Sequence, residues 1–475
     1  MDNDRNVPLL CDYYEYTMSN GYVVNGLQDR VVYFDIYFRN VPDRGGFCVF
    51  AGLEQLVDYI LNLRFTDSDI EFLRSKKTFS EEFLNYLRDF RFTGDVWAIP
   101  EGTPVFPGEP LVTIRAPIAQ AQILETFALL TLNHQTLIAT KASRIVRAAR
   151  GRTVLEFGSR RAQGTDAAIL GARAAYIAGC GGTACTVSDK WYGVPASGTM
   201  AHSWVMMFDS EYEAFVKFCE LYPDNATLLV DTYDTVNSGI PNAIRAFKAT
   251  GATKCAIRLD SGDFSFLTKK ARTMLDEAGL TDCKIIVSNA LDENLIKDLL
   301  DQGAIIDGFG VGDNLITSHS DPVLNGVYKL VASEEDGEIV PRIKISENVE
   351  KITTPHFKKV YRIYDGQGMA VADLICIHDE TIEQSKPLEL FDPAATWKRK
   401  TMTDYTAKEL MVRVIEGGKL VYELPSLPEI REHCARELDT LWEEVKRFAN
   451  PHHYYVDLSQ RLWDVKNDLI SGSKQ

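Results

Sequence analysis

The sequence predicts an α/β protein whose central part is a (β/α) barrel or an open parallel sheet. Two observations lead to this prediction. Short apolar runs rich in β-branched residues recur in the middle of the chain at about the spacing of one strand-and-helix unit, roughly 30 residues. Amphipathic helical patterns lie between most of these runs, and such alternation is typical of a parallel sheet covered by helices.

The strands predicted for this central part are short and apolar along their whole length, as buried parallel strands are. They are Thr153–Gly158, Gly182–Val187, Thr227–Asp234, Lys254–Asp260, Lys284–Asn289 and Ala304–Gly310. The helices predicted between them are Ala162–Ala178, Ser210–Leu221, Ile240–Ala249, Phe266–Ala278 and Asp292–Leu300.

The flanking segments have different patterns. Pro100–Pro110 is dense in turn-forming residues and leads into a predicted strand, Leu111–Arg115. Ala121–Arg150 has apolar residues at helical spacing and is predicted to enter the central part. After it, Val327–Val331 and Lys358–Tyr364 alternate as strands do, and we expect them to complete the N-terminal domain, which would then be discontinuous.

With 475 residues the chain exceeds one typical hydrophobic core, so we expect more than one domain. We assign residues 1–137, completed by 330–385, to an N-terminal domain and residues 138–329 to the barrel. Residues 386–475 form a C-terminal extension, predicted to be mostly helical from the pattern Leu427–Phe448.

Charge and cysteine usage exclude several classes of protein. A formal net charge of −16 repels phosphate backbones and argues against nucleic-acid binding. The nine cysteines contain no Cys-x-x-Cys pair and are expected to be reduced thiols of a cytoplasmic protein. No run is apolar enough to span a bilayer, and the acidic first five residues are not followed by a secretion-signal core.

Polar side chains follow the predicted strands where each strand ends. In a barrel these carboxyl ends form one rim, which holds the active site. Because the chain is acidic, an anionic substrate requires local cations, and three arginines fall on this rim. The rim residues are Phe157–Arg161, Thr183, His202, Asp231, Asp234, Arg258, Asp260, Ser288, Asn289 and Gly310–Asn314.

His202 is one of only eight histidines and ends a strand-like run that begins at Val194. An imidazole at such a place is a candidate for catalysis. Taken alone, however, a single histidine beside apolar residues is more often a hydrogen-bonded core side chain.

Together these motifs resemble the nicotinate phosphoribosyltransferase family. The resemblance covers some three hundred residues, and it rests on the joint order of the motifs rather than on any single one. The matching segments are Leu9–Tyr14 with Thr17 and Met18, Glu101–Pro104, Glu156–Gly164, Gly198–His202, Leu229–Thr235, Arg258–Asp263 and Gly326–Val331.

The resemblance implies a type II phosphoribosyltransferase architecture, an irregular (β/α) barrel beside an α/β sandwich, working as a homodimer with shared active sites. It implies that nicotinate is joined to 5-phosphoribosyl 1-pyrophosphate, with release of pyrophosphate, in NAD biosynthesis. In the family this step is coupled to ATP hydrolysis through a phosphohistidine, with Mg²⁺ as cofactor. His202 matches the phosphorylated histidine, and Asp231 the carboxylate that fixes its tautomer.

The resemblance also assigns substrate-binding residues. Phe157 is expected to stack on the pyridine ring, and Tyr14 of a second subunit to close its other face. Arg160 and Arg258 are expected to hold the phosphoribosyl donor and the base, with Arg161 as a further cation for the same anions.

The remaining expected binding residues surround the donor. Asp260 is expected to orient Arg258 or a magnesium-bound ribose, so that its part in metal binding is indirect. The turns that contain Ser288, Asn289, Gly312 and Asp313 are expected to bind the 5′-phosphate through their backbone N–H groups. A carboxylate beside a phosphate is unfavourable, so the side chain of Asp313 has no assigned role. Thr199, in the histidine motif, completes the set.

Three alternatives remain open at this point. A nicotinamide-using relative would place an acidic residue near Thr183 to accept the amide N–H, whereas Thr183–Thr186 is uncharged and suits a carboxylate substrate. Quinolinate phosphoribosyltransferase would need more cations for a dicarboxylate and does not use ATP. A non-catalytic barrel that binds sugar phosphates would need neither His202 nor Asp231.

Overall fold

The structure is a computed structural model that describes residues 6–348 and 351–472. The first five residues, on which the expected absence of a secretion signal partly rests, lie outside this range. The chain divides into two compact units. The central unit is Ile138–Pro322, and the discontinuous unit comprises the residues up to Leu137 together with those from Val323 onward. Compactness is not independent folding, so the three predicted domains stay a prediction.

The strands in chain order are β1 (Val31–Phe38), β2 (Cys48–Val49), β3 (Asp95–Ala98), β4 (Pro104–Val105), β5 (Val112–Pro117), β6 (Thr153–Glu156), β7 (Gly182–Thr183), β8 (Ala226–Leu229), β9 (Cys255–Leu259), β10 (Lys284–Ser288), β11 (Gly308–Val311), β12 (Gly326–Glu335), β13 (Glu338–Pro341), β14 (Lys358–Asp365), β15 (Ala370–Ile377), β16 (Leu388–Phe391), β17 (Arg399–Met402), β18 (Tyr405–Glu409), β19 (Val412–Glu416), β20 (Lys419–Leu420) and β21 (Val456–Leu458).

The α-helices are α1 (Tyr13–Val24), α2 (Leu53–Asn62), α3 (Asp67–Ser75), α4 (Glu81–Arg88), α5 (Ile118–Gln122), α6 (Glu125–Ala148), α7 (Thr165–Ile177), α8 (Thr186–Tyr192), α9 (His202–Met206), α10 (Glu211–Leu221), α11 (Ile240–Thr250), α12 (Phe264–Glu277), α13 (Glu293–Asp301), α14 (Asp313–Ile316), α15 (Leu427–Asp439) and α16 (Gln460–Gly472). Among the described residues, no helix is long and apolar enough to cross a membrane.

The central unit contains a parallel sheet in the order β7-β6-β11-β10-β9-β8. All its strand pairs are parallel, and the sheet forms half of a barrel with β7 and β8 at its edges. Its strands are mainly buried, with β8 and β11 buried along their whole length. The predicted α/β fold class is confirmed.

Helices of this unit begin where an oxygen-bearing side chain caps the first turn. Ser210, Asp263 and Asp292 each accept hydrogen bonds from backbone N–H groups at the start of α10, α12 and α13. Such caps satisfy donors that have no partner inside the helix. At the other end of α11, Gly251 adopts a φ of +67°, which ends the helix at little steric cost. These signals explain why the predicted helix bounds agree with the structure to within a few residues.

The predicted strands are longer than the observed ones. Residues 304–307 and 184–187 lie outside β11 and β7, because a helix or an irregular segment takes their place. The expectation that His202 ends a strand is wrong: Ala196 makes a single bridge to Thr183, and His202 begins α9. An apolar run cannot by itself distinguish a strand from a buried loop.

A buried ion-pair cluster joins α6 to α13 within the central unit. The Glu293 carboxylate accepts hydrogen bonds from Lys141 Nζ and Arg144 Nε, at 2.9 and 2.8 Å. All three side chains are at most 7% exposed. Burial would raise the pKa of Glu293, but the two cations outweigh it and hold that pKa below its usual value.

The discontinuous unit contains an antiparallel sheet in the order β13-β12-β1-β5-β3-β19-β20. The pairing of β12 with β1 brings the predicted strand Val327–Val331 back to the N-terminal segment. A second sheet has the order β18-β14-β15-β21, in which only the pair of β15 and β21 is parallel. The strand predicted at Lys358–Tyr364 is β14 and belongs to this second sheet.

The C-terminal segment contains the predicted helix, which begins at Leu427 as expected and ends at Asp439. A capping box at Ser426 and Glu429 fixes its start. Besides α15 and α16, the segment from residue 386 onward also contains β16 to β21. Short alternating strands are harder to detect than helices because their patterns span few residues.

Candidate active site

The carboxyl ends of the parallel strands place a continuous row of polar groups along one edge of the central sheet. Parallel strands all end on the same side, so side chains that follow them become neighbours. Hydrogen bonds link the row from β6 to β7 and from β10 through β9 to β8. Most of the predicted rim residues are therefore brought together although they span more than 150 positions of the sequence. Asp234 instead accepts hydrogen bonds from the backbone N–H groups of Val236 and Asn237.

At one end of the row lie Asp231, Asp260 and Ser288. The Ser288 hydroxyl donates to Asp260 Oδ1. The Asp260 backbone N–H and the Ser261 hydroxyl donate to Asp231 Oδ2 at 3.0 and 2.6 Å. The other oxygen, Asp231 Oδ1, is buried and has no hydrogen-bond partner in the described part of the chain. An unpaired buried carboxylate oxygen is costly and points to a ligand that it contacts.

The middle of the row is an aromatic ring held over glycines. A Cβ on Gly310 would lie 2.6 Å from Phe157 Cε2, so the ring occupies the space that a side chain would need. A Cβ on Gly158 would lie 2.6 Å from the Gly312 carbonyl oxygen, so the two turns are in close contact. The Phe157 N–H also donates to the Val311 carbonyl at 2.7 Å. These contacts fix the Phe157 ring at the strand ends, with Gly310 beside it.

At the other end of the row, Glu156 and Thr183 are buried and joined. The Thr183 hydroxyl donates to Glu156 Oε2 at 2.5 Å and accepts from the Cys185 N–H at 2.9 Å. Glu156 Oε1 accepts from the Gly158 N–H. Burial raises the pKa of Glu156, while the hydrogen bonds from Thr183 and Gly158 oppose that rise. The pair holds the turn that carries Phe157.

His202 lies half-buried at the start of α9, and its Nδ1 is 3.1 Å from the Thr232 hydroxyl. Asp231, the predicted partner, immediately precedes Thr232 but makes its hydrogen bonds to Asp260 and Ser261 instead. In this structure the residue that orients the imidazole is therefore Thr232. His202 Nε2 has no hydrogen bond to any described residue.

Arg258 is held on β9 with its guanidinium largely buried. Its Nη2 donates to the Met200 carbonyl at 2.8 Å, and its Nε is buried without a partner among the described residues. Burial lowers the pKa of Arg258, the nearby Asp260 and Asp231 oppose that effect, and Arg160 adds to it. Arginine stays protonated even so, which leaves a cation with unused donors at the edge of the sheet.

Arg160 and Arg161 lie in a short turn after β6 and are exposed. Neither side chain has a hydrogen bond or an ion pair with a described residue. Together with Arg258, these guanidinium groups supply cations for an anionic ligand at an edge that also carries carboxylates.

The turns after β10 and β11 have unusual backbone conformations. Asn289 and Ala290 have φ angles of +90° and +50°, a region that costs energy for residues other than glycine. Asn314 Nδ2 donates to the carbonyls of Ala290 and Leu291 at 3.1 and 3.2 Å, which ties the two turns together. Gly312 precedes α14, and Asp313 is exposed in its first turn.

Two predicted site residues, Thr199 and Tyr14, do not follow a strand of the central sheet. Thr199 lies in the irregular segment before His202, where its hydroxyl makes only a long contact of 3.5 Å to the Met200 carbonyl. Tyr14 belongs to the discontinuous unit, on α1, and is 45% exposed. Burial and the neighbouring Glu125 raise the pKa of Tyr14.

The sequence alone did not reveal three residues of this site: Glu156, Thr232 and Ser261. Each lies inside or beside a predicted motif, but its role depends on a contact across strands. For Thr232 a signal existed, because a hydroxyl follows directly after a candidate catalytic carboxylate.

No group of three or more histidine, cysteine, aspartate or glutamate side chains suited to a metal ion occurs among the described residues. Mg²⁺ is commonly held by one or two carboxylates together with substrate phosphates. The unpartnered Asp231 Oδ1, adjacent to Asp260, fits that kind of site.

A parallel half-barrel with cations, carboxylates and an imidazole at its strand carboxyl ends defines an α/β enzyme for an anionic substrate. Comparisons with known proteins give the family. The models of the N-terminal domain, the central family region and the C-terminal domain of nicotinate phosphoribosyltransferase match residues 9–133, 153–362 and 357–466. The chain belongs to the nicotinate phosphoribosyltransferase family.

Individual relatives support this assignment over the full length. The nicotinate phosphoribosyltransferase of Bacillus subtilis is 45% identical over 474 residues, which cover 99% of this chain and 96% of the relative. The crystal structure of human nicotinic acid phosphoribosyltransferase superposes with a TM-score of 0.85 at 28% identity, covering 97% of this chain and 99% of the human one. A nicotinate-nucleotide pyrophosphorylase from Pyrococcus furiosus shares the fold, with a TM-score of 0.71 at 24% identity and coverage of 93% and 97%.

Proposed function

We propose that this chain joins nicotinate to 5-phosphoribosyl 1-pyrophosphate, giving nicotinate mononucleotide and pyrophosphate, and couples this step to ATP hydrolysis through His202. The observation that carries the proposal is the convergence of Phe157, Arg258 and His202 at one edge of the central sheet in a member of this family. A ring, a buried cation and an imidazole are what a planar carboxylate base and a phosphorylated donor require.

Nicotinate rather than nicotinamide is favoured by the groups around Thr183. The nearest buried acid, Glu156, directs one carboxylate oxygen to Thr183 and the other to Gly158, so both oxygens already accept a hydrogen bond within the protein. Arg258 retains unused donors that suit a carboxylate. Phosphoribosyl transfer to nicotinamide is the second candidate function. The two functions would differ only in the groups that bind the carboxylate or amide of the base.

The coupling step uses the two nitrogens of His202 differently. Nδ1 is engaged with Thr232, which leaves the Nε2 lone pair to attack the γ-phosphorus of ATP. The new N–P bond replaces the bond to the leaving ADP oxygen, so ADP departs as the anion. Hydrolysis of the phosphohistidine then releases phosphate and restores the imidazole.

The phosphoribosyl donor is anionic, and the free side chains of Arg160 and Arg161 beside Arg258 supply the opposite charge. The backbone of the turns at Asn289 and Gly312 binds the 5′-phosphate, and at Gly312 no side chain hinders the approach. Asp231 and Asp260 would hold Mg²⁺, and a bound Mg²⁺ would supply positive charge to offset that of the pyrophosphate group. Asp231 thus contributes a carboxylate to catalysis through its free Oδ1.

The enzyme works as a homodimer in which Tyr14 of a second copy closes the other face of the nicotinate ring. The support is that Tyr14 is exposed on α1 and that the proposed nicotinate face of Phe157 calls for a second ring.

The test is pyrophosphate release from the donor with nicotinate or nicotinamide, each with and without ATP. We expect turnover with nicotinate and an increase with ATP. Faster turnover with nicotinamide would identify nicotinamide as the substrate. No turnover with either base would indicate a protein that binds sugar phosphates without catalysis.

A second measurement addresses His202 directly. Wild type incubated with ATP labelled in the γ-phosphate is expected to form an acid-labile, alkali-stable adduct, and His202→Asn is expected to form none. The matched control is His319→Asn, the same change at an exposed histidine of the central unit, which is expected to label as wild type does. Equal labelling of His202→Asn and wild type would remove His202 from this role.

A further inference from the structure

A cavity of about 450 Å³ lies in the C-terminal part of the discontinuous unit, and none of the residues that line it is assigned a role above. It lies between the hairpin of β16 and β17 and the edge strand β21, and its size falls within the range of small-molecule sites, about 300–1,000 Å³. It is lined by Val371, Ala372, Leu390, Phe391, Asp392, Lys398, Arg399, Lys400, Trp442, His452, Tyr455 and Asp457.

Asp457 is the most unusual group in this cavity. It is only 4% exposed, and no hydrogen bond or ion pair joins its carboxyl to any described residue. Burial, with a smaller contribution from Asp392, raises the pKa of Asp457 to about 7. A buried carboxyl without a partner destabilises the fold, so its presence at a cavity wall points to a ligand that completes it.

Aromatic rings form much of the wall. His452 lies between Trp442 and Tyr455, with ring centroids 5.7 Å apart in each pair and nearly perpendicular planes. His452 Nδ1 is buried and, among described residues, has no partner. The wall therefore offers ring surfaces for a flat ligand and a second unsatisfied polar atom for a ring nitrogen or an N–H group.

Cations stand on the hairpin at the edge of the cavity. Lys400 is exposed and makes no hydrogen bond or ion pair with a described residue. Lys398 Nζ lies 3.4 Å from Asp392 Oδ2, and Arg399 pairs with Glu389. These charges suit an anionic group attached to the flat part of the ligand.

We propose that this cavity binds an adenine nucleotide, with the base against Trp442 and Tyr455, its amino group donating to Asp457, and its phosphate beside Lys398 and Lys400. Adenine presents a donor and an acceptor side by side. A carboxyl group that is protonated near neutral pH can complement both, by accepting from the amino group and donating to the ring nitrogen. Guanine presents two donors at the same edge, so it would need the ionised carboxylate, which burial disfavours.

This site is separate from the proposed reaction, because every lining residue belongs to the discontinuous unit and none is assigned to the sheet edge of the central unit. The nucleotide bound there is therefore not the ATP consumed in the proposed reaction.

The test uses the full chain and AMP, which cannot supply a γ-phosphate, with binding followed by calorimetry and tryptophan fluorescence. We expect AMP to bind more tightly at pH 6.5 than at pH 8, and more tightly than GMP. Asp457→Leu, in which the new side chain is similar in shape, is expected to weaken the binding of AMP by about tenfold or more. This is the usual effect of losing a hydrogen bond to a carboxyl group. Asp439→Leu, the same change at an exposed position, and Arg258→Ala are expected to keep wild-type affinity.

Folding and phosphate recognition are checked separately. Because Asp457 has no partner, Asp457→Leu is expected to leave the melting temperature at pH 8 unchanged or to raise it. Lys400→Glu, on the exposed hairpin, is expected to weaken the binding of AMP but not that of adenosine. The inference is overturned if AMP does not bind wild type, if Arg258→Ala abolishes binding while Asp457→Leu and Lys400→Glu do not, or if GMP binds better.

Discussion

Gly310→Ala is expected to displace the ring of Phe157 and to weaken nicotinate binding while leaving the fold intact. The new Cβ would lie 2.6 Å from Phe157 Cε2. An ordinary carbon–carbon contact is about 3.5 Å, so the ring must move by roughly 1 Å. Gly310 lies on β11 in the middle of the sheet, whose backbone is held on both sides and yields less readily than the ring.

The size of the effect follows from two terms. Overpacking a well-packed site costs about 1–3 kcal/mol, which is expected to appear as a lower free energy of unfolding. A displaced ring forfeits the stacking contribution, about 0.5–1.5 kcal/mol, which corresponds to a roughly 2- to 13-fold increase in the KM and Kd of nicotinate. The KM of the phosphoribosyl donor is expected to change less, because its proposed contacts are cations.

The assay is steady-state kinetics with each substrate varied, together with equilibrium binding of nicotinate and denaturant unfolding. The matched control is Gly308→Ala on the same strand, where the added Cβ would lie 3.4 Å from the Thr153 carbonyl oxygen, an ordinary contact. If Gly310→Ala binds nicotinate as wild type does, or if Gly308→Ala is affected equally, Phe157 does not hold the base.

Three further results are expected. Glu293→Gln removes the counter-charge of Lys141 and Arg144 and should lower the free energy of unfolding by about 3–5 kcal/mol near neutral pH. Because the folded pKa of Glu293 is depressed, its contribution is present above the ordinary value of 4.5 and is lost as the pH falls through the folded pKa. The difference from wild type in urea unfolding should therefore shrink at low pH, and a difference independent of pH would contradict the ion-pair account. Arg258→Ala should lower kcat/KM for nicotinate by about 30-fold or more, measured by pyrophosphate release, since a buried charge pair that loses one partner costs 2 kcal/mol or more; unchanged kinetics would make it peripheral. Mixing Tyr14→Ala with Arg258→Ala, once each variant alone is shown to be nearly inactive, should restore up to roughly a quarter of wild-type sites, because half of randomly exchanged dimers contain one intact shared site; no recovery with proven subunit exchange would end the shared-site proposal.

Much of the fold was predictable from local patterns. The sequence predicted the strands β6, β8, β9 and β10 and helices between them. Burial on both faces gives such strands a continuous apolar run, and a helix cap such as Asp292 is recognisable within a few residues. The rule that active sites lie at the carboxyl ends of parallel strands then predicted that Phe157 and Asp260 share one edge of the sheet. These predictions depend only on residues near each other in sequence or on a topology that such residues imply.

The hydrogen-bond partners were decided by tertiary structure alone. The family resemblance paired His202 with Asp231, whereas the structure joins the imidazole to Thr232, and Asp231 accepts hydrogen bonds from Asp260 and Ser261. A rotation of one residue at a strand end reverses which side chain faces the site, and no pattern of hydrophobicity records it.

The same limit applies to space. Nothing near Gly310 in the sequence indicates that the ring of Phe157, some 150 positions earlier, fills the place of its side chain. Likewise, Asp457 becomes an unusual carboxyl only because distant segments, including Trp442 and the hairpin of β16 and β17, leave a cavity beside it. Composition and periodicity determined which segments form strands and helices, since those depend on local burial and backbone hydrogen bonding. Only the packed chain decided which side chains meet and which remain without a partner, because close packing is set jointly by residues that are far apart along the chain.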